Sequence, residues 1–322
     1  MPISGPNLIR MARPVPAVLS IAGSDSGGGA GIQADLKAFA RCGVHGMTAI
    51  TALTAQSTVG VTAIHPVPGE FIVEQVRTVA ADIGVDAVKI GMLGTADTVR
   101  AVREALRHIE DGVPIVIDPV MVAESGAVLL DDEARAAIVT ELLPLATVIT
   151  PNLPEARVLV AGAEAGHGGG AAARGAGASR DGGAARSGDA SAWRGVDTAA
   201  GRDDVEDLAR ALHELGPANV VVTGGHRDEA TDVFYDGTSI TLLVGERHPD
   251  GAAHGSGCTH SSALAAHLAL GFSPEEAARA ARRLASEAVR DGHRDIGRGP
   301  GPVNVLGVGV QDRTPDGLAR RA

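Results

Sequence analysis

Short runs of apolar residues recur along the chain, separated by segments with apolar residues at helical spacing. After residues 18–21, for example, Ile32, Leu36 and Phe39 recur at the three- to four-residue spacing of an amphipathic helix. Residues 115–117 are all β-branched, as expected for a strand buried on both faces. This alternation predicts right-handed βαβ units around a mainly parallel sheet. The predicted strands cover residues 18–21, 49–53, 87–90, 115–117, 148–150 and 219–222.

Two local signals refine this pattern. Residues 232–243 contain two β-rich runs on either side of an Asp-Gly pair at 236–237, which is typical of a hairpin. We therefore expect an antiparallel edge on the sheet. The Ser-Pro-Glu-Glu run at 273–276 combines a capping serine, a first-position proline and a third-position glutamate. It predicts the start of a helix that continues to about Arg290.

Polar and glycine-rich residues follow several of the predicted strands. They include the glycine-rich loop 23–31, Asp118, Asn152 and Thr223. In open parallel sheets, ligands bind beyond the carboxyl ends of the strands, so these residues predict a binding site at that edge. The loop alone is a weak signal, because its spacing matches neither a Walker A loop nor a dinucleotide fingerprint.

A small-residue turn near the C-terminus leads directly into another predicted helix. Residues 255–264 read Gly-Ser-Gly-Cys-Thr-His-Ser-Ser-Ala-Leu. Glycine allows a ligand to approach the backbone, and the free N–H groups and dipole of a helix start favour an anion such as a phosphoryl group. The same field favours the thiolate form of Cys258. The alternative is a plain helix start around a buried cysteine.

Composition and charge exclude several classes of protein. The chain has 322 residues, 44% of them hydrophobic and only 2% aromatic, so its core must consist of Ala, Val, Leu and Ile. A net charge of −11 argues against nucleic-acid and anionic-membrane partners. Two cysteines make no disulfide framework, which fits a reducing cytoplasm. No segment approaches the roughly 20 apolar residues that cross a bilayer.

The same patterns predict the domain organisation. Residues 1–16 are rich in proline and are expected to form a disordered extension. Residues 17–308 form one α/β domain, interrupted at 163–196 by a Gly/Ala-rich insertion that has too little apolar surface to order itself. Residues 309–322 are expected to be a flexible tail.

Several long motifs in order carry a family resemblance. Residues 22–37, AGSDSGGGAGIQADLK, resemble the N-terminal signature of the hydroxymethylpyrimidine/phosphomethylpyrimidine kinases of thiamine biosynthesis, in the ribokinase-like superfamily. The turn 255–259 is similar to the family's Gly-Thr-Gly-Cys-Thr anion hole. Together the motifs cover residues 17–305 apart from the insertion. Similar blocks stand between them at 50–56, 89–93, 118–122 and 150–156.

This resemblance implies a fold and an activity. The fold is a ribokinase-like three-layer αβα sandwich with a mainly parallel central sheet, usually in a homodimer. The activity is ATP-dependent phosphorylation of 4-amino-5-hydroxymethyl-2-methylpyrimidine and then of its monophosphate. No nucleic acid or membrane takes part.

The resemblance also implies roles for individual residues. Gln56 would pair with a ring nitrogen and the exocyclic amine of the pyrimidine, and Asp118 and Glu155 would organise Mg²⁺, mostly through water. Further pyrimidine contacts would come from Gly23, Asp35, Met92 and Val120. Contacts to ATP would come from Asn152, Thr223 and Gly225. The transferring phosphoryl group would be held at Gly255, Ser256, Gly257 and Cys258.

This sequence departs from the family pattern at some of these positions, and some of the residues have an alternative interpretation. Thr223 stands where many relatives have lysine, which predicts weaker contact with nucleotide phosphates unless an arginine compensates. Many ribokinase-like enzymes have an aspartate base where this chain has Cys258, and our hypothesis is that its thiolate acts as that base. The alternative is that Cys258 only shapes the site. Without the motif, the position of Asp35 on its helix favours a solvent-facing residue, and Met92 is consistent with ordinary core packing.

Two other functions remain open at this point. A pyridoxal or pyridoxine kinase would use the same fold with a cysteine in the same place. A non-catalytic pyrimidine-binding regulatory module would keep the pocket without turnover. The presence of Asp118, Glu155 and Cys258 argues against the second.

Overall fold

The computed structural model describes residues 14–122, 126, 129–168, 202–224 and 230–310. Within these residues the strands form a single sheet. The strands are β1 (Ala17–Asp25), β2 (His45–Ser57), β3 (Gly60–Pro66), β4 (Ala87–Ile90), β5 (Ile115–Ile117), β6 (Val148–Ile149), β7 (Asn219–Val222), β8 (Thr231–Tyr235) and β9 (Ile240–Val244).

The sheet has a parallel centre and antiparallel edges. Its strand order is β3-β2-β1-β4-β5-β6-β7-β8-β9. Neighbouring strands from β2 to β7 in this order are parallel. The hairpin β8–β9 closes one edge, which confirms the hairpin predicted from the Asp-Gly pair.

The opposite edge differs from the prediction. The apolar pattern predicts the second strand over 49–53, but β2 runs from His45 to Ser57 and pairs antiparallel with β3. Many residues of β2 are partly or fully exposed, so this strand lacks the continuous apolar run that marks the central strands. The sequence pattern therefore reveals only part of its length. The extension places Gln56 within a strand rather than in a loop.

Helices cover both faces of this sheet. Adjacent strand residues point to opposite faces, so that Leu19 and Ile117 join one apolar cluster while Val18 and Val116 join another. The first cluster includes residues of α2–α6 and the second includes residues of α1, α7 and α8, which confirms the three-layer αβα architecture. The helices are α1 (Gly31–Cys42), α2 (Gly69–Asp82), α3 (Ala96–Ala105), α4 (Asp132–Ala137), α5 (Leu153–Gly168), α6 (Arg202–Glu214), α7 (Ser256–Ala269) and α8 (Pro274–Arg290).

Small side chains let α7 and α8 pack closely. The buried face of α8 consists of alanines, including Ala277, Ala281 and Ala288. This is how a chain with few aromatic residues fills its core. The predicted start of α8 is confirmed, since the Ser273 hydroxyl and the Glu276 carboxylate each accept the other's backbone N–H.

The predicted boundaries lie partly outside the described residues. Helix α5 continues to Gly168, beyond the predicted start of the insertion at residue 163. The rest of the insertion, residues 1–13 and residues 311–322 lie outside the description, so their assignments stay predictions. Among the helices that the structure describes, none is both long and apolar enough to cross a membrane.

A buried ion pair joins the sheet to two of the helices. Lys89 on β4 donates to Asp35 on α1, with Nζ 2.9 Å from Oδ1 and 3.1 Å from Oδ2, and neither side chain is exposed. The hydroxyls of Ser20 on β1 and Ser262 on α7 also donate to Asp35. Burial lowers the pKa of Lys89, but Asp35, Cys258 and Asp118 together outweigh it and the net pKa is raised. The lysine is therefore a permanent cation inside the protein.

Replacing Lys89 by methionine should strongly destabilise the fold. Lys89→Met keeps the volume but leaves the buried Asp35 carboxylate without its cation, which costs about 3–5 kcal/mol of unfolding free energy. Urea denaturation measures this loss. The matched control is Arg77→Met, which breaks an exposed ion pair with Glu74 on α2 and should barely move the midpoint. Equal midpoints for the two variants would contradict a structural role for the buried pair.

Candidate active site

A cavity of about 440 Å³ opens at the carboxyl ends of the parallel strands. Its wall includes residues that end or follow β1, β2, β4, β5, β6 and β7, as the sheet-edge argument predicted. Gly255–Cys258 complete the wall from the start of α7. The predicted site residues that the cavity brings together are Gly23, Gln56, Met92, Asp118, Val120, Asn152, Glu155, Thr223, Gly255, Ser256, Gly257 and Cys258.

Two predicted residues are not part of this wall. Gly225 lies outside the described residues, so its role stays a prediction. Asp35 is fully buried beneath the cavity, and it is Lys89, its ion-pair partner, that reaches the lining. The expected direct contact between Asp35 and a pyrimidine is therefore wrong in this structure, and so is the solvent-facing alternative.

One side of the cavity is formed by Gly23, Gln56, Met92 and Val120, the residues to which the family resemblance assigns pyrimidine contacts. A Cβ at Gly23 would lie 3.1 Å from Met92 Cε, so a larger residue would crowd the methionine against the cavity. The Thr54 hydroxyl lies 2.9 Å from the Ser24 backbone carbonyl and 3.2 Å from the side-chain amide oxygen of Gln56, and its single proton is shared between these two acceptors. The Gln56 NH₂ group is the donor part of this amide.

The turn before α7 has the backbone geometry expected for an anion site. Gly255 has a φ of 86°, and a Cβ there would lie 1.8 Å from the Gly29 carbonyl oxygen, so only glycine fits. The Ser256 N–H is already used by the Ala253 carbonyl, 2.9 Å away. Among the described residues, the Gly257 and Cys258 N–H groups have no backbone acceptor. These two amides, rather than that of Ser256, are therefore available to an anion.

The thiol of Cys258 is not activated in this structure. Burial raises its pKa to about 12, and the nearby Asp35 and Asp118 carboxylates act in the same direction. The Lys89 ammonium and a hydrogen bond from the Gly31 N–H oppose the rise but do not reverse it. Although the residue keeps some exposure to the cavity, the expectation that the helix start would produce a thiolate is wrong for the ligand-free site.

Two buried carboxyl groups face the same part of the cavity. Asp118 accepts a hydrogen bond from the Ser261 hydroxyl at 2.9 Å, and burial raises its pKa. Glu155 accepts from the backbone N–H groups of Met121 and Asn152. Burial, helped by repulsion from Asp118, raises the pKa of Glu155 to about 8. Glu155 is therefore mostly protonated at pH 7, and Lys89 and Ser261 offset only part of the effect of burial on Asp118.

This donor set suits one class of metal. Across the described residues, no group of three or more His, Cys, Asp or Glu side chains could hold a metal ion. A structural zinc site, which needs four protein ligands, is therefore not formed there. Mg²⁺ is bound through one or two carboxylates and keeps several waters, so Asp118 and Glu155 fit it.

Two charged clusters in the wall were missed from the sequence. His254 Nε2 lies 3.2 Å from Asp25 Oδ2. On the other side, Asp232 accepts the Gly224 N–H and lies 3.7 Å from His260 and 3.6 Å from Arg282. Burial lowers the pKa of His260, so it is neutral at pH 7.

Among the cavity residues that the sequence analysis missed, Lys89 is the one that its sequence context could have revealed. The chain has two lysines, and Lys89 stands inside an apolar strand, where an unpaired charge is not tolerated. That position alone implies a buried acidic partner. The histidine clusters join segments that are distant in sequence and have no comparable signal.

Comparisons with known proteins agree with this geometry. The sequence matches the family model described as phosphomethylpyrimidine kinase over residues 25–172 and 190–304. It is 41% identical over 294 residues to the hydroxymethylpyrimidine/phosphomethylpyrimidine kinase of Mycobacterium tuberculosis (strain ATCC 25618 / H37Rv), covering 90% of this chain and 94% of that protein.

The chain is also similar to solved structures of kinases. The phosphomethylpyrimidine kinase of Clostridium difficile 630 is 34% identical with a TM-score of 0.65, over 85% of this chain and 99% of that one. The pyridoxal kinase of Staphylococcus aureus in complex with AMP-PCP and pyridoxal is 30% identical with a TM-score of 0.72, over 90% and 94% of the two chains. With its sequence matched by the family model on both sides of the insertion, and a kinase site at the sheet edge, the chain belongs to the phosphomethylpyrimidine kinase family.

Proposed function

We propose that this kinase transfers the γ-phosphoryl group of ATP to 4-amino-5-hydroxymethyl-2-methylpyrimidine and then to the resulting monophosphate, in thiamine biosynthesis. The observation that carries the proposal is the cavity that joins Gln56 and Met92 to the free amides at the start of α7. A heterocycle bound beside Gln56 and Met92 would present its hydroxymethyl group toward an anion bound at the free amides. The names of the relatives and the family model support this pair of substrates.

ATP is the proposed donor. A structural neighbour was crystallised with AMP-PCP and another with ADP, which supports an adenine nucleotide as the donor. Here Asn152, Thr223 and Gly225 would lie near the phosphates. Thr223 carries no charge, and the arginines that line the cavity are Arg247 and Arg282, the second of which lies 3.6 Å from Asp232.

Mg²⁺ is the proposed metal, held by Asp118 and Glu155 through oxygen ligands and water. When bound it would neutralise charge on the transferring group and on the two carboxylates. The residues themselves supply the rest: the Gly257 and Cys258 amides stabilise developing negative charge, and the cavity aligns the two reactants. Phosphoryl transfer depends mainly on such positioning and charge stabilisation.

Cys258 is the proposed proton acceptor for the substrate hydroxyl. It lies at the anion turn and close enough to Lys89 for that ammonium to lower its pKa in part. Because the thiol begins protonated, only the thiolate that forms after its proton passes to solvent can accept the hydroxyl proton. We also propose a cytoplasmic homodimer, on the basis of the two unpaired cysteines and the family resemblance.

Pyridoxal is the main competing substrate. The S. aureus pyridoxal kinase superposes with a TM-score of 0.72, compared with 0.65 for the C. difficile enzyme, so the fold does not separate the two activities. A coupled ADP-release assay with the pyrimidine alcohol, its monophosphate and pyridoxal separates them. We expect Mg²⁺-dependent ADP release with both pyrimidines and at least tenfold lower kcat/KM with pyridoxal. Faster turnover of pyridoxal would reverse the assignment, and no turnover of any heterocycle would favour a non-catalytic binding module.

Removing a metal-facing carboxylate should change the Mg²⁺ requirement. Asp118→Asn keeps the shape and the Ser261 contact but removes the charge. We expect the Mg²⁺ concentration for half-maximal ADP release to rise by about 10–100-fold or more. Asp97→Asn on the exposed face of α3 is the matched control and should leave the Mg²⁺ titration unchanged. An unchanged titration for Asp118→Asn would remove this residue from the proposed metal site.

The pH profile tests Cys258 as the base. With a thiol pKa of about 12, the thiolate fraction rises about tenfold per pH unit at lower pH. At saturating Mg²⁺, kcat/KM for the pyrimidine should therefore keep rising from pH 7 to 9.5. Cys258→Ser should lose about 10²–10⁴-fold and this slope, because a serine hydroxyl does not ionise in that range. Cys42→Ser, outside the cavity, is the control. A wild-type plateau near neutrality, or full activity of Cys258→Ser, would show that Cys258 only shapes the site.

A further inference from the structure

The two sides of the active site come from opposite ends of the chain and touch through their backbones. The glycine-rich loop 23–31 follows β1, and the anion turn 255–258 precedes α7. A Cβ at Gly255 would lie 1.8 Å from the Gly29 carbonyl oxygen, and a Cβ at Gly29 would lie 2.2 Å from His254 Cδ2. The distance between the loop and the turn is thus set at this junction.

Asp25 organises the loop side of the junction. Its carboxylate accepts the backbone N–H groups of Gly27 (2.8 Å), Gly29 (3.0 Å) and Ala30 (2.8 Å). His254 Nε2 lies 3.2 Å from the same carboxylate, and both residues are buried in the cavity wall. Burial alone would raise the pKa of Asp25, but His254 and the loop amides together lower it. The carboxylate is therefore ionised, which assigns His254 Nε2 as the hydrogen-bond donor.

The backbone of His254 is also hydrogen-bonded to the segment that follows α8. Its backbone carbonyl accepts the Val303 N–H at 3.0 Å, and the Pro302 carbonyl accepts the His293 N–H at 2.9 Å. The residue therefore connects three segments: the glycine-rich loop, the anion turn that begins at the next residue, and the stretch that follows α8.

We propose that His254 is a positioning residue for phosphoryl transfer. Its Nε2–H···Asp25 hydrogen bond holds the Gly257 and Cys258 amides at a fixed distance from the substrate side of the cavity. This inference rests on the proposed function for its kinetic consequence, but the fixed junction itself does not. Loss of the bond misaligns the reactants, which lowers kcat, while each substrate keeps its own binding contacts and hence its KM.

Two variants of His254 separate the hydrogen bond from the bulk of the ring. His254→Phe keeps a ring but has no N–H, whereas His254→Gln places an amide N–H at a reach similar to that of Nε2. We expect His254→Phe to lower kcat by about 10–100-fold with both KM values within about threefold of wild type. His254→Gln should recover most of that loss. His65→Phe, on the exposed edge strand β3, is the matched control and should behave as wild type.

Hydrogen exchange of the backbone amides provides a readout that does not depend on turnover. In His254→Phe, the hydrogen-bonded amides of the loop and the turn should exchange faster than in wild type, with the protein still folded and with His254→Gln intermediate. These amides are Gly27, Gly29, Ala30, Ser256 and Thr259. If wild type turns over no pyrimidine, the proposed function fails but this measurement still tests the junction. Unchanged kcat and exchange in His254→Phe would overturn the proposal. So would a raised KM at unchanged kcat, or a glutamine variant no better than the phenylalanine variant.

Discussion

The active site is built on buried negative charge, and the way each carboxylate is neutralised determines the rest of its structure. Asp35 is matched by the Lys89 ammonium, Asp25 by three loop amides and His254, and Asp232 by the Gly224 amide and Arg282. A buried charge is tolerated only when it is paired or hydrogen-bonded in this way. The Asp25 bonds to the loop amides order that loop, and the others join separate elements, so neutralising the charge also fixes the geometry of the cavity.

One pair of carboxyl groups is left without such a partner. Asp118 receives a single serine hydroxyl, and Glu155 receives two backbone amides, yet the pKa of each is raised. In the ligand-free protein Glu155 therefore avoids its charge by holding a proton at pH 7. A divalent cation would replace that proton, and this is the physical reason to place the metal here rather than at Asp25 or Asp232.

Local sequence patterns predict most of the fold and much of the site wall. Apolar runs reveal the central strands, and the rule that ligands bind at strand ends is enough to group Asp118, Asn152 and Thr223 at one edge of the sheet. The features that local patterns miss depend on contacts between distant segments. The ion-pair partner of Asp35 lies 54 residues away, and Asp25 and His254 are 229 residues apart. Strand β3 is missed because its pairing with β2 leaves many residues exposed, so it has no buried pattern to detect.

The incorrect expectation for Cys258 shows why local rules fail inside a charged cavity. A helix start lowers a thiol pKa when the sulfur remains near water, because the dipole is then the main perturbation. Here the sulfur lies among protein atoms, and desolvation penalises the thiolate more than Lys89 stabilises it. Lys89 is itself paired with Asp35, and the Asp35 charge raises the thiol pKa and so opposes the effect of the lysine. The arrangement that stabilises the buried carboxylate therefore keeps the thiol neutral. It leaves the anion turn to act chiefly through its uncharged amides, whose donors are present at every pH.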